Sequence, residues 1–563
     1  MMENQRLQAD GDAMSLTNLD PYLPALKELL QATQESQGNR QVVYPLLQAH
    51  LDKLDIEFAR VLQQWATATL TQLDPEPAYR LANAIATLSH LIRRFPEGSR
   101  STNLEISIVG YQLVATALTP QTHPELWAAT QNSLGIAYSQ RLQKDRAQNL
   151  ERAIAAFQQA LQIYTPEAFP HDWATLQNNL GGAYLNRIQG DRAQNLERAI
   201  AAFQQALQTC PRHAFPEAWA DSHYHLGKAY HERSQCNSRS QNLESAIAHY
   251  QQALETYTYA EFPKQWATLH QYLATAYLNR SQGDRAENLE KAIASYQKAL
   301  QIYTDETFPE NWAAIQRNLG TAYFERLRGN RAQNLERALF ADKQALTIHT
   351  REAFPLKWAM IQRHLATVFL HRIYGERGDN LESALASYQQ ALQIYTREAF
   401  PEDWATLQNN LGLIHIYRLH GEKTENLKTA IAAFQNALQI PNAQPLPQNQ
   451  ACNLFNLGVA YQQTHQLPQA YNTFAQAIEI VEQLPGAIVS TEDASPQLAE
   501  KWHTLYRRMV EVCLALGRYT EALKYVERSK TRTLFELLTI HDFYPKGEIP
   551  LEIQTHLGET SAE

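Results

Sequence analysis

Tryptophan recurs at Trp127, Trp173, Trp219, Trp266, Trp312, Trp358 and Trp404. The interval is 46 residues every time except between Trp219 and Trp266, where it is 47. A rare, large side chain held at a fixed interval means one supersecondary unit copied along the chain. Such a unit cannot bury its apolar face alone, so the copies must stack on one another. This restricts the chain to a linear array in which each copy contacts only its neighbours.

The copies agree well beyond the tryptophan. Seven residues on stands leucine in all seven: Leu134, Leu180, Leu226, Leu273, Leu319, Leu365 and Leu411. Offset eight is always small: Gly135, Gly181, Gly227, Ala274, Gly320, Ala366 and Gly412. Offset eleven is aromatic from Tyr138 to Phe369 and becomes His415 in the last copy. At ~100° per residue, offsets 0, 4, 7, 11 and 14 share one helix face, which places the tryptophan on the packed side of a helix A.

A second helix follows. Asn149, Asn195, Asn242, Asn288, Asn334, Asn380 and Asn426 each precede leucine, and Asn103-Leu104-Glu105 is an earlier copy. Asparagine is a favoured N-cap, and glutamate in the first turn suits the helix dipole, so helix B is expected to start there. Offsets four and eleven from the asparagine are alanine in all seven copies, as in Ala153 and Ala160. Offset eight reads Phe157, Phe203, Tyr250, Tyr296, Asp342, Tyr388 and Phe434. Helix B is expected to stop at the Phe-Pro signal that recurs at Pro170, Pro216, Pro263, Pro309, Pro355 and Pro401, because proline disfavours helix in the residue before it. The fold class is therefore all-α, an α-solenoid of antiparallel helix pairs.

The small-residue and aromatic pattern of helix A, with Ala-x-x-x-Phe/Tyr-x-x-Ala in helix B, resembles the tetratricopeptide repeat, here extended beyond its usual ~34 residues. That resemblance implies a right-handed superhelix. The run around Asn39 (GNRQVVYPLLQAHLDKLD), the repeats, and YVERSKTRTLFELL at 525–538 together are similar to the repeat arm of bacterial, particularly cyanobacterial, CHAT-domain proteins. In that family the arm precedes a caspase-like protease domain. The resemblance stops short of the protease, because only 25 residues follow Leu538 and no cysteine follows Cys513. The chain is expected to be a repeat-only relative or an arm of a longer protein. Its organisation reads as an N-terminal helical cap at 1–75, extended repeats at 76–440, shorter repeats at 441–538 with a loop at 485–497, and a tail or linker at 539–563.

Composition narrows the function classes. Over 563 residues, 44% hydrophobic and 19% charged residues fit an ordered interior. The net charge of −9 disfavours nucleic acid, whose binding rests on neutralising phosphates. No stretch approaches the ~20 apolar residues of a membrane helix. Cys210, Cys236, Cys452 and Cys513 form no close pair, so a reduced, cytoplasmic setting without disulfide or zinc is expected. No Gly-rich phosphate loop, His-Glu-x-x-His or Gly-x-Ser-x-Gly occurs, so no cofactor and no enzyme activity are expected.

Four features of the sequence are candidate sites. The arginine at offset fourteen (Arg141, Arg187, Arg233, Arg280, Arg326, Arg372 and Arg418) reads as a cation completing helix A and pairing with carboxylates, against a basic ladder for an acidic partner. His223, His225 and His231 point about 40°, 240° and 120° around a helix axis, which does not converge them on a metal. The candidate binding groove is the opposite face of helix A, at offsets 2, 5, 9, 12 and 13, where the copies stop agreeing. It comprises Asn178, Asn186, Gln271, Asn279, Arg317, Thr321, Phe324, Arg363, Thr367, His371 and Asn409. Amides, hydroxyls and apolar groups side by side suit an extended peptide or protein segment, and Arg317 with Arg363 could clamp a carboxylate. Asp342, alone among the helix B aromatics, reads either as the edge of a loosened interface, since an unpaired buried carboxylate is costly, or as a polar element inside the groove wall or a flexible joint. The expectation is an interaction scaffold or sensor arm for a protein or peptide, with regulation of a caspase-like partner implied by the resemblance. A structural spacer acting through self-association is the alternative.

Overall fold

Each helix A begins on a proline, and that fixes the register of the array. The structure is a computed structural model that describes residues 21–236, 238–439, 447–483 and 496–540. The N-terminus to Asp20, most of the loop expected at 485–497, and the tail from residue 541 lie outside these. Among the described residues there are 23 α-helices and no strand, and no helix is long and apolar enough to cross a membrane. The protein is an α-solenoid of helix pairs, divided into two compact units, Met1–Ile302 and Tyr303–Glu563.

In the first unit, α1 (Leu23–Glu35), α2 (Arg40–Ala49), α3 (Ile56–Leu70), α4 (Pro75–Arg94) and α5 (Arg100–Ala117) share a core that includes Leu26, Val43, Phe58, Leu88 and Ile106. Four antiparallel pairs follow: α6 (Pro124–Gln140) with α7 (Arg146–Ala160), α8 (Pro170–Leu185) with α9 (Arg192–Thr209), α10 (Pro216–Arg233) with α11 (Arg239–Leu254), and α12 (Pro263–Asn279) with α13 (Arg285–Ala299). The second unit pairs α14 (Pro309–Glu325) with α15 (Arg331–Ile348), α16 (Pro355–His371) with α17 (Arg377–Ala391), and α18 (Pro401–Tyr417) with α19 (Lys423–Leu438). It ends with two further pairs, α20 (Pro447–Gln463) with α21 (Leu467–Gln483) and α22 (Pro496–Ala515) with α23 (Tyr519–Ile540).

The Phe-Pro signal starts helix A rather than stopping helix B. Proline is the first helical residue, where its missing N–H is no loss, and the preceding phenylalanine accepts the first helical bond, Trp173 N to Phe169 O at 2.9 Å. Helix B has already ended, at Ala160 in the first complete copy. The return loop between them is closed by an edge-on ring pair, Tyr164 with Phe169 at 5.1 Å and Tyr395 with Phe400 at 5.5 Å.

The tryptophans lie on the packed side, but at the rim of the core: Trp127 is buried in it, and the other six are half-buried, Trp173 and Trp358 packed against it. They sit in the first turn of helix A, where arginines of the return loop lie over Trp219, Trp358 and Trp404 at 5.4, 5.9 and 5.8 Å. The fully packed neighbour is the alanine that follows, as at Ala128, Ala174 and Ala313. The layer between the helices is built instead by glycine of helix A against the ring of helix B. A Cβ on Gly181 would lie 2.6 Å from Phe203, and one on Gly412 2.6 Å from Phe434. Where alanine replaces glycine, at Ala274 and Ala366, the ring is tyrosine and its hydroxyl meets Thr275 at 2.8 Å and Thr367 at 3.1 Å.

Nor is the recurrent asparagine the N-cap. Helix B starts one turn earlier, capped by Asp145 on the Ala147 N–H (2.8 Å), Asp191 on that of Gln194 (2.9 Å) and Asp284 on that of Ala286 (2.8 Å). Before each cap the chain turns through a left-handed residue, Lys144, Gly190 or Gly283, with φ of +65°, +78° and +76°. Asn149 and its counterparts are buried inside the helix, where Nδ2 donates back to the carbonyl six residues earlier, Asn149 to Gln143 at 2.9 Å.

Candidate functional site

The invariant arginine is accounted for by the scaffold. It ends helix A and reaches back to the glutamate of the previous copy's Asn-Leu-Glu. Arg187 places Nε and Nη2 on Glu151 at 2.7 and 2.8 Å, while Nη1 lies 3.3 Å from Asn195 Oδ1 of its own copy. The same bidentate fork joins Arg280 to Glu244, Arg372 to Glu336 and Arg418 to Glu382. Arg141 and Glu105 form it at the most buried position, with only 4% and 10% of their side chains exposed. Arg418 holds the Glu382 carboxyl below the usual range. A second arginine, at the start of helix B, caps helix A: Arg285 donates to Leu278 O at 2.6 Å.

The face opposite is the candidate groove. In the first unit, Asn178 is half-buried and accepts from Ser222 Oγ at 2.9 Å. Asn186 is exposed and closes the end of α8 on Gly182 O at 2.8 Å. Gln271 is half-buried, and its carbonyl accepts from Thr275 Oγ1 at 3.0 Å; Asn279, also half-buried, is the last residue of α12.

In the second unit, α14 carries Arg317, Thr321 and Phe324, α16 carries Arg363, Thr367 and His371, and α18 carries Asn409. Phe324 stands edge-on to His371 at 5.3 Å and to His364 at 5.6 Å. Thr367 bonds the Arg363 carbonyl and the Tyr388 hydroxyl, both at 3.1 Å. Arg363 pairs with Asp403 on the next helix A at 2.6 Å and lies over Tyr395 at 5.8 Å. Asn409 accepts from Asn456 at 3.1 Å, as Asn132 does from Asn179 at 2.9 Å. Several groove amides therefore tie neighbouring A helices together. The doubled asparagine of Asn178-Asn179 and Asn409-Asn410 was the available sequence signal for that ladder, and Asp403 gave none.

Behind this face lies the odd helix B residue. Asp342 is fully buried, its Oδ2 2.6 Å from His364 Nδ1, while its Oδ1 has no partner. Its carboxylate occupies the place of a ring edge, 2.4 Å from where a Cβ on Gly320 would stand. Burial pushes its pKa up, against the lowering pull of His364 and Arg317. Just past the end of the same helix His349 replaces the tyrosine of Tyr303 and Tyr395; it is fully buried and held neutral, with its pKa pushed down to about 4 by burial and by Lys357 and Arg317.

The three histidines of α10 face different neighbours. His223 meets His249 at 2.8 Å, and His225 stacks on Phe203 at 5.3 Å. Among the described residues no group of three possible metal ligands is assembled.

The sequence matches no known family model, and no curated protein matches it. Solved structures similar to it include the C-terminal part of a TPR repeat-containing protein from Cytophaga hutchinsonii, at 13% identity over 56% of this chain and 97% of that one, with a TM-score of 0.34. A STAND ATPase with a tetratricopeptide repeat sensor, from Pyrococcus horikoshii, is similar at 14% identity over 85% of this chain and 73% of that one, with a TM-score of 0.43. The human IFIT1 dimer with m7Gppp-AAAA is similar at 16% identity, 84% and 94% coverage and a TM-score of 0.36.

Proposed function

We propose that this chain is a protein-interaction scaffold whose helix A face takes a peptide or an extended protein segment. One observation carries the reading. The positions that repeat are those engaged in packing or in the arginine forks, whereas offsets five, nine and thirteen change from copy to copy and remain at least partly open to solvent. In the second unit, Phe324 and His371 offer ring edges to an apolar side chain, Thr321 and Thr367 offer hydroxyls to a backbone, and Arg317 offers a cation to a carboxylate. Asn409 continues that face, and Asn178, Asn186, Gln271 and Asn279 are the corresponding proposal in the first unit. No catalytic role, cofactor, nucleic acid or membrane partner is proposed. The organisation proposed is a cap at 1–75, extended repeats at 76–440, shorter repeats at 441–538 and a tail at 539–563, in the cytoplasm. The finer reading, a sensor arm regulating a caspase-like protease, rests on the resemblance at 38–55 and 525–538.

A second reading, a spacer that self-associates, is favoured by a separate feature. Leu327, Ile373 and Leu419 stand one residue after the fork arginine in three successive copies of the second unit, 67%, 59% and 67% exposed. Recovery of partners on the immobilised full chain separates the two readings. Loss of a bound protein on Arg317→Ala/Phe324→Ala, with retention on Leu327→Lys/Ile373→Lys/Leu419→Lys, supports the groove. Capture of the chain's own copy alone, lost on the lysine variant, supports the spacer and refutes the groove.

A further inference from the structure

The arginine fork has a beginning, and the first copy leaves something unmatched there. Eight residues before the helix B asparagine, or nine in the case of Arg233 and Asn242, stands the fork arginine; eight before Asn103 is Phe95, and Arg94, nine before it, makes no bond to it. Asn103 keeps its backward bond, Nδ2 to Glu97 O at 3.0 Å, while its Oδ1, in a residue only 2% exposed, lacks the arginine donor it faces in other copies and calls for a guanidinium rather than for an anion. Beside it is a cavity of about 280 Å³ lined by Arg93, Arg94, Arg100, Gly98, Gln140 and Asn103. Arg93 reaches Gln140 Oε1 at 3.4 Å and leaves a buried Nε unpartnered. Arg100, the counterpart of Arg192, makes none of that residue's bonds. Among the described residues, no carboxylate lies within ion-pair distance of any of these three arginines.

Three guanidinium groups around one small cavity, in a chain of net charge −9, create a local field without an internal counter-charge. Burial first, then Arg93, Arg94 and Arg40, push the pKa of nearby His90 down to about 4. A lone carboxylate would match one of three charges. A phosphate group carries about two charges and a tetrahedral set of acceptors, which planar forks grip in pairs. The cavity holds on the order of nine water volumes at ~30 Å³ each, room for a phosphate with a small attached group.

We infer that the Arg93–Arg94–Arg100 cavity is an oxyanion site that binds a phosphate group, presented either by a free phosphate compound or by a phosphoserine side chain. It stands apart from the groove proposed above and does not depend on it. Calorimetric titration of the full chain at low ionic strength, with pyrophosphate and with a phosphoserine peptide, tests it. One saturable site is expected for at least one probe, weakened at least tenfold by Arg94→Ala/Arg100→Ala. Arg94→Lys/Arg100→Lys is expected to fall between, because it keeps the charge and loses the fork. Both positions are exposed, so the melting temperature should hold, and the lysine pair carries the test if the alanine pair misfolds. Tighter pyrophosphate assigns a free compound; a tighter peptide that loses its affinity on dephosphorylation assigns phosphoserine. No saturable binding of either probe overturns the site. So does full affinity in the alanine pair, or an equal loss on replacing the distant, exposed Arg239 by alanine.

Discussion

Replacing Asp342 with phenylalanine should stabilise the second unit, and an earlier copy supplies the comparison. In the first unit, Phe203 of helix B lies against Gly181 and is covered by His225 of the next helix A, stacked at 5.3 Å. In the second unit, Asp342, Gly320 and His364 occupy those same three positions. Asp342→Phe therefore asks only for an arrangement this backbone already accepts. Burying the ring contributes about 1.5–3 kcal/mol. Removing a carboxylate with one unpartnered buried oxygen adds about 1–3 kcal/mol, and losing the bond to His364 takes away about 1.5–3 kcal/mol. The net expectation is about 2 kcal/mol, or roughly 4–8 °C in the melting temperature of a unit of this size.

The gain should depend on pH. Burial raises the Asp342 pKa above its ordinary 3.8. Below pH 3.8 the group is protonated whether folded or unfolded and carries no charge penalty; as pH rises through the folded value, the buried group must ionise and stability is lost. The advantage of Asp342→Phe should therefore be largest at neutral pH and shrink on acidification toward 3.8. Thermal melts of both proteins between pH 4 and 8, with hydrogen exchange followed in α15 and α16, measure this. A lower or unchanged melting temperature at pH 7 would refute the reasoning and make the Asp342–His364 pair a net stabiliser of its joint.

Two further outcomes follow from the packing. Glu105→Ala leaves Arg141 buried without its carboxylate, and breaking a buried pair from one side should cost about 3–5 kcal/mol, read as early unfolding of the first unit by chemical denaturation; a loss below about 1 kcal/mol would show that Arg141 finds water or another acceptor. Gly181→Ala pushes a methyl group into Phe203 and should cost about 1–3 kcal/mol. Phe203→Tyr in the same chain should not restore stability without a threonine at position 182, because the tyrosines at 296 and 388 bond Thr275 and Thr367; recovery by tyrosine alone would exclude that account.

The period, the helix pairing and the singular character of Asp342 were legible in the chain, because repetition exposes any position that departs from its copies. Phase within a helix was less so. Trp173 and Leu180 share a face by angle, but angle says nothing of depth along the axis, and the tryptophan falls in the first turn beside a loop that leaves it half-covered. Asparagine before leucine and glutamate reads as a cap from local propensity. What overrides that propensity is a contact 36 residues distant, between Arg187 and Glu151, with Asn195 held beneath. The groove residues follow the same lesson: Asn178 and Asn409 were marked by variation, while their bonds to Ser222 and Asn456 join separate copies that no local window includes.

The fork also bears on how such a chain changes length. Within each unit an internal copy supplies one glutamate forward and one arginine backward, as Glu151 does to Arg187 and Glu336 to Arg372, so duplication or loss of such a 46-residue copy leaves no orphan fork charge. Only the termini of the run need editing. At one terminus Phe95 replaces the arginine; at the other, Lys428 replaces the glutamate of the motif and Thr464 stands 46 residues after Arg418, so both halves of the link are gone together. Growth by duplication would then leave the interior forks matched and call for a change in the fork only where the run begins and ends.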